Sequence, residues 1–246
     1  MYLKRLEISN LRAIESMVVD FIDVQNRKLS SRRWTVLLGE NGCGKSTILK
    51  AIGLVLAGTE ALSDLIGDPD QWIRIGAPSA WISAIICTAD GEDRLVRLDI
   101  HRGERRDGVL RRNAESLQAL DAALRHTERN YFVAGYGAFR RPPSADYSAH
   151  SSRMFGRAAQ LHTLFSAAPE LMSLEDWAAD LDYVSGGSEK SVIAEALGRL
   201  LPGMTFKSID KRTRQVMMQT QDGDLPLRAL SEGYQVMAAW AGDLLF

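Results

Sequence analysis

Nine consecutive residues, "GENGCGKST" from Gly39 to Thr47, fit the spacing G-x-x-x-x-G-K-[ST]. That spacing suits the binding of a polyphosphate. Gly39, Gly42 and Gly44 let main-chain N–H groups curl around an anion, and a helix starting at Lys45 adds roughly half a positive charge at its N-terminus. Lys45 reaches the β and γ oxygens of a nucleotide, and the hydroxyl of Ser46 is placed to ligate magnesium, with Thr47 behind it. Cys43 sits inside the loop where a small side chain suffices, and it is given no catalytic part. A phosphate cradle alone does not choose among kinases, GTPases and switch or motor ATPases. The absence of an N-K-x-D or T-K-x-D stretch weighs against a GTPase.

The elements around the loop must hold it still. "WTVLLG", Trp34 to Gly39, is apolar throughout, the pattern of a strand buried on both faces at the centre of a parallel sheet. Ile48, Ile52 and Val55 then recur at helical spacing, so strand, loop and helix follow without a gap. Upstream, Leu6 and Ile8 alternate with Arg5 and Glu7, and a β-rich run follows at Met17 to Ile22, which predicts a pair of strands. Ser83–Thr88 and Leu95–Ile100 flank Asp90-Gly91 as a hairpin, and a second hairpin is expected from about Gln215 to Leu227 around Asp222-Gly223. Leu117, Leu120 and Leu124 mark one short helix. "RNYFVAGYGAFRR" reads as a strand, followed by a proline- and serine-rich insert. Ser173 is placed to cap a helix with a Leu174, Trp177 and Leu181 stripe, and Ile193, Leu197 and Leu200 mark another that ends at Pro202-Gly203.

The 246 residues are 46% hydrophobic and 25% charged with a net charge of −1, so any nucleic-acid surface has to be local. Cys43 and Cys87 lack metal or redox spacing, and so few thiols fit a reducing compartment. No segment has the apolar length of a membrane span, and the start lacks the apolar run of a signal peptide. A cytoplasmic protein without a membrane partner is expected. His101, His126, His150 and His162 have no partner at ligand spacing, so no metal is assigned to them.

The closing stretch "LSEGYQ", Leu230 to Gln235, resembles the signature motif of ABC-type ATPases. The opening "LKRLEISNLRAIESMVVDF", joined to "GENGCGKST", resembles the SMC, RecF and OLD branch of that class. The resemblance covers both ends of the chain and is weak across about residues 60 to 200. Within the branch, the short form without coiled-coil arms looks most like the AAA-labelled ATPases of bacterial anti-phage systems such as Septu and the ATPase-bearing retrons.

The resemblance implies an α/β P-loop head with a mainly parallel core sheet, an N-terminal antiparallel β subdomain and a helical lobe carrying the signature. One such head would fill residues 1–246, with the β subdomain, phosphate loop and hairpin in 1–140 and the insert, helical lobe and signature in 141–246. It implies ATP and magnesium as cofactors and a homo-oligomer in which Ser231 and Gly233 meet the γ-phosphate of a nucleotide bound to another copy. A serine-capped helix with no ligand is the alternative for that turn. Asn10 and Arg12 match positions that this branch brings near the nucleotide, and Asn41 matches a loop residue that approaches the γ-phosphate. Val236, Met237, Trp240 and Leu244 form the expected buried face of the signature helix.

The chain departs from the family in two places. The best-aligned slot for the Q-loop glutamine is Tyr136-Gly137, with Gln71 an earlier alternative. The buried strand ending in Asp-Glu, which follows the signature in the family and supplies the acid that polarises water, has no counterpart, so the head is expected to be incomplete at its C-terminal end. Arg105, Arg106, Arg111 and Arg112 are candidate contacts to a nucleic-acid backbone, with Arg140-Arg141 and Lys211-Arg212 as smaller groups. Glu104 and Asp107 among them favour a solvated face. The leading expectation is an ATP-driven switch controlling an effector such as a nuclease or a grip on DNA. A small-molecule P-loop kinase and a non-catalytic nucleotide-binding scaffold are the rivals.

Overall fold

Alternation in the first strand sets the sheet that carries the rest. In the computed structural model, which describes residues 2–25, 28–31, 34–88, 91–126, 132–138, 156–166, 174–175, 178–179, 183, 190–201, 203–210, 212–221 and 223–245, β1 spans Tyr2–Leu11 and β2 spans Ile14–Asp20. A small hairpin, β3 (Ile22–Gln25) with β4 (Lys28–Ser31), follows. The expected hairpin around Gly91 is β5 (Ser79–Cys87) with β6 (Asp93–His101), longer than its apolar runs indicate. The order β2-β1-β5-β6 gives a four-stranded sheet with every pairing antiparallel. Val96, Leu98 and Ile100 point inward and Arg97 and Asp99 outward, as period two requires.

Helix α1, Lys45–Leu65, packs Leu54, Val55 and Leu62 into the same core as Leu6, Ile8, Ile82 and Leu98. The helix is broken at Gly58, which takes φ 76 and ψ 176. At the break the Thr59 N–H donates to the Asp121 carboxylate at 3.2 Å, and Arg157 Nε donates to the Ala57 carbonyl at 2.8 Å. The Thr59 N–H and the Ala57 carbonyl, on either side of the break, are thereby satisfied.

Two short helices cover edge strand β6. Helix α2, Arg106–Arg112, occupies the basic stretch that the sequence places at the end of a hairpin, and α3 is Ala114–His126. Asn113 between them accepts the Asp99 N–H at 2.8 Å and donates to the carbonyls of Asp99 and Val109. The Ser116 hydroxyl accepts the Arg97 N–H at 2.7 Å. Helix side chains thus take up edge groups that would otherwise invite another strand. Leu117 and Leu120 are buried as expected, and the side chain of Leu124 lies outside the described residues.

Three sequence expectations are not met among the described residues. The segment Trp34 to Gly39 joins no ladder, and Trp34, Val36 and Leu38 are 89%, 74% and 89% exposed, while Leu37 packs on the core. An apolar run becomes a buried strand only where neighbouring strands pair with it, and among the described residues none does. The mainly parallel core sheet is likewise absent among them, since every described pairing is antiparallel. Residues 132–138 are irregular rather than a strand. Their Gly135 N–H donates to the Gln160 carbonyl of helix α4 (Arg157–Phe165) at 2.9 Å, so a helix and not a sheet holds them.

The chain divides into two units, Met1–Gly135 with Met154–Phe165 and Tyr136–Arg153 with Ser166–Phe246. The second unit contains helix α5 (Lys190–Leu200), a meander of β7 (Thr205–Asp210), β8 (Gln215–Thr220) and β9 (Gly223–Pro226), and helix α6 (Glu232–Leu245). The expected second hairpin is β8 with β9, and Gly223 is the first residue of β9 rather than part of the turn. Leu174 and Leu197 are buried, whereas Ser173, Trp177, Leu181, Pro202, Arg140, Arg141, His150 and Lys211 lie outside the described residues.

Helix α6 buries Ala238, Ala239 and Ala241, while Met237 and Leu244 are exposed, so its buried face is rotated from the expected stripe. Leu174 approaches so closely that a Cβ on Gly242 would lie 2.9 Å from the Leu174 Cα, a space only a glycine fills. Tyr136 meets Trp240 edge to face at 5.9 Å.

Candidate nucleotide site

The phosphate loop turns on positions that favour glycine: Gly42 has φ 84 and Gly44 has φ 99. Gly39 is needed for space, because a Cβ there would lie 2.7 Å from Cys43 Sγ. Gly44 is the N-cap of α1, no side chain caps the helix, and no acidic residue lies in its first turn. Its leading N–H groups are therefore open to an anion without competition from a carboxylate. Lys45 Nζ donates to the carbonyls of Gly39 and Glu40 at 2.7 Å each, which lays its charge across the loop. Ser46 and Asn41 are exposed, and Thr47 is buried beneath them. Loop, uncapped helix, cation and hydroxyl together could take a polyphosphate, and Ser46 is the hydroxyl that could ligate magnesium.

Asn10 and Arg12 bracket the β1–β2 connection, and both have left-handed backbones, φ 51 and φ 52. Residues with side chains rarely adopt this region, and here the neighbouring chain over-determines it. The Arg12 N–H donates to the Trp72 carbonyl at 2.9 Å and the Arg74 N–H to the Asn10 carbonyl at 2.8 Å. The Arg12 guanidinium lies 4.2 Å from the Trp72 ring centre, with Nε donating to the Gln71 carbonyl at 3.1 Å. Trp72 in turn meets Phe165, whose carbonyl accepts from Lys50 at 3.5 Å. Half-burial lowers the pKa of Arg12 and, together with the charge of Arg12, that of Lys50. The cation–aromatic stack on Trp72 escapes sequence reasoning because the partners are far apart in the chain. The aromatic in "WIRIGA" is its only signal. Gln71 lies exposed in a 3-10 turn, Pro69–Trp72, and contributes its carbonyl to Arg12.

In the second unit, Ser231 precedes α6 and its carbonyl accepts the Gln235 N–H at 3.1 Å, opening the helix. Ser231 and Gly233 are exposed, and nothing stands within 4 Å of a Cβ built on Gly233.

The basic cluster is partly neutralised. Arg111 pairs with Asp107 at 2.9 Å and Arg112 with Glu104 at 3.1 Å. Arg105 and Arg106 are exposed and without an ion pair among the described residues. Those residues hold no group of three or more side chains able to bind a metal ion, and none of their helices is long and apolar enough to cross a membrane.

Residues 1–93 match the family model of the AAA ATPase domain AAA_15. Over 245 residues the chain is 24% identical to the Septu protein PtuA of Bacillus mycoides, an alignment covering 99% of this chain and 31% of that protein. It is 34% identical over 101 residues to the DNA double-strand break repair Rad50 ATPase of Methanopyrus kandleri, covering 41% of this chain and 10% of that protein. The chain thus spans about a third or less of the length of these curated relatives. The solved structure of the recombination mediator RecF with ATP superposes with a TM-score of 0.48 at 10% identity, over 99% of this chain and 80% of that one.

Proposed function

We propose that this chain, which is related to SMC-like ATPases and to ATPases of anti-phage defence, is the nucleotide-binding part of an ATP-operated switch. Each ATP is held between the phosphate loop of one copy and the Ser231–Gly233 turn of another. Closure on ATP and opening after hydrolysis control an effector protein, such as a nuclease, or a grip on DNA. The observation that carries the reading is the uncapped α1 N-terminus behind a loop of positive-φ glycines, with Lys45 laid across it.

Gly39, Asn41, Gly42, Gly44, Lys45, Ser46 and Thr47 take the polyphosphate, with magnesium on Ser46. Arg12, held by Trp72, offsets phosphate charge, and Asn10 shapes the turn that presents it. The exposed Ser231 and Gly233 supply a hydroxyl, an unobstructed backbone and a helix N-terminus, all suited to a γ-phosphate from outside. A mainly parallel core sheet around Trp34 to Gly39 belongs to the same proposal, since the exposed Trp34, Val36 and Leu38 have the composition such neighbours cover. A cytoplasmic location fits the two unpaired thiols.

The test is the mass of the protein in solution with Mg-ATP and with Mg-ADP. ATP is expected to double it and ADP to leave it unchanged. Turnover is expected at background, because residues 1–246 contain no Asp-Glu pair to polarise water. A constant mass at ATP concentrations that saturate the loop would leave only a nucleotide-binding scaffold.

Nucleic-acid contact, as part of this proposal, rests on Arg105 and Arg106, the arginines of the cluster that are not neutralised. Reversing both to glutamate should lower the slope of log affinity for duplex DNA against log salt by about 2, roughly one per lost phosphate contact. The same change at Arg111 and Arg112 should have a smaller effect. Equal slopes for both pairs would remove this face from the interface.

A further inference from the structure

The turn at Ser231–Gly233 is held by a side-chain relay that no motif marks. The β8–β9 ladder ends at Met217 opposite Pro226, after which the chain leaves the sheet as a 3-10 turn, Leu227–Ala229. Glu175 fills the fork so formed and is only 5% exposed. Its Oε1 accepts the Val216 N–H of β8 at 3.4 Å, and its Oε2 accepts from Nε of Arg228 in the 3-10 turn. Arg228 is joined onward to the helix. Gln235, in the first turn of α6, donates its side-chain amide to the carbonyl of Arg228 at 3.0 Å and to that of Leu230 at 2.7 Å. Sheet end, 3-10 turn and helix start are thus connected through three side chains, with Ser231 and Gly233 between the last two anchors.

A buried carboxylate is costly unless its charge is met, so Glu175 depends on Arg228 although the guanidinium itself is half-exposed. Two hydrogen bonds from one amide likewise oblige the backbone from Arg228 to Leu230 to keep a single shape. We propose that Glu175 is a positioning residue for the Ser231–Gly233 turn, acting through Arg228, whose carbonyl Gln235 ties to the helix, so that the turn is preformed for the phosphate of a nucleotide on another copy. This rests on the reading of that turn as half of a composite ATP site. Preorganisation matters at such a site because ordering a loose turn on contact subtracts from the association free energy.

The experiment uses the whole chain with three variants, Glu175→Gln, Arg228→Gln and the double substitution, beside Ser231→Arg. Three quantities are read for each: affinity of the phosphate loop for a fluorescent ATP analogue, the ATP concentration at half-maximal association, and amide exchange over residues 231–237. Glu175→Gln and Arg228→Gln should each raise the half-association concentration about tenfold, in line with loss of one charged hydrogen bond. Amide exchange in the turn should quicken, while affinity at the phosphate loop stays within about twofold. The double substitution should cost no more than either single one, the mark of a coupled pair. The double substitution is the safeguard against misfolding, because Arg228→Gln alone leaves the buried Glu175 carboxylate unmet whereas glutamine at both positions leaves no charge there. If Ser231→Arg abolishes association while both glutamine variants associate and exchange as the parent does, the relay is refuted and the composite site stands. If Ser231→Arg itself associates normally, both are overturned.

Discussion

Lys45→Ala is expected to raise the dissociation constant for a labelled ATP analogue at least about tenfold, the loss expected for charged hydrogen bonds to the β and γ phosphates. The structure makes this a clean substitution. The Lys45 ammonium bonds only within its own loop, to Gly39, Glu40 and Cys43, among the described residues. Thermal unfolding should therefore be little changed, so that lost binding is not lost fold. Lys45→Arg should not restore affinity, because a planar fork cannot follow the curl of the loop as a compact ammonium does. Unchanged affinity for the analogue in Lys45→Ala would remove the phosphate loop from the function.

The second large effect is a recovery. Ser231→Arg puts bulk and charge on an exposed turn that should receive a phosphate from another copy, so ATP-driven association is expected to disappear while the phosphate loop still binds ATP. Lys45→Ala is expected to lose association for the opposite reason. When the two variants are mixed, a heterodimer contains one site with both defects and one site with neither, because the intact phosphate loop of the Ser231→Arg copy faces the intact turn of the Lys45→Ala copy. Association should return, with about one nucleotide retained per pair, as the geometry of composite sites dictates. Failure of the mixture to associate at ATP concentrations that load the Ser231→Arg copy would mean that turn and loop do not meet across copies.

What could be read from the chain followed contiguity. The loop from Gly39 to Thr47 and the helix it opens were legible because each of their parts lies within one turn of the next. Spacing alone then dictates which N–H groups and which cation converge. The hairpin of β5 and β6 was legible for the same reason, since alternation and one turn set both register and facing. The helix α2 was missed because its seven residues bury only Val109, too little apolar surface to mark a period.

The Trp34 to Gly39 run shows the limit from the other side. Its composition states what a neighbour would cover, but pairing is a property of two segments, and no described strand lies beside it. In α6 the large residues suggested one face, yet the close approach of Leu174 at Gly242 turned the alanines inward, because the distance between elements selects side-chain size before hydrophobicity does.

By itself, then, the sequence determined the local structure: a glycine-rich loop opening one helix, a Ser-Glu-Gly turn opening another, and the antiparallel strands before them. Tertiary structure decided the partners. Arg12 is poised by the ring of Trp72 and the carbonyl of Gln71, 59 residues away, and Arg228 is held by Glu175, 53 residues away. Such pairings depend on where the chain returns in space, and a one-dimensional pattern holds no record of that return.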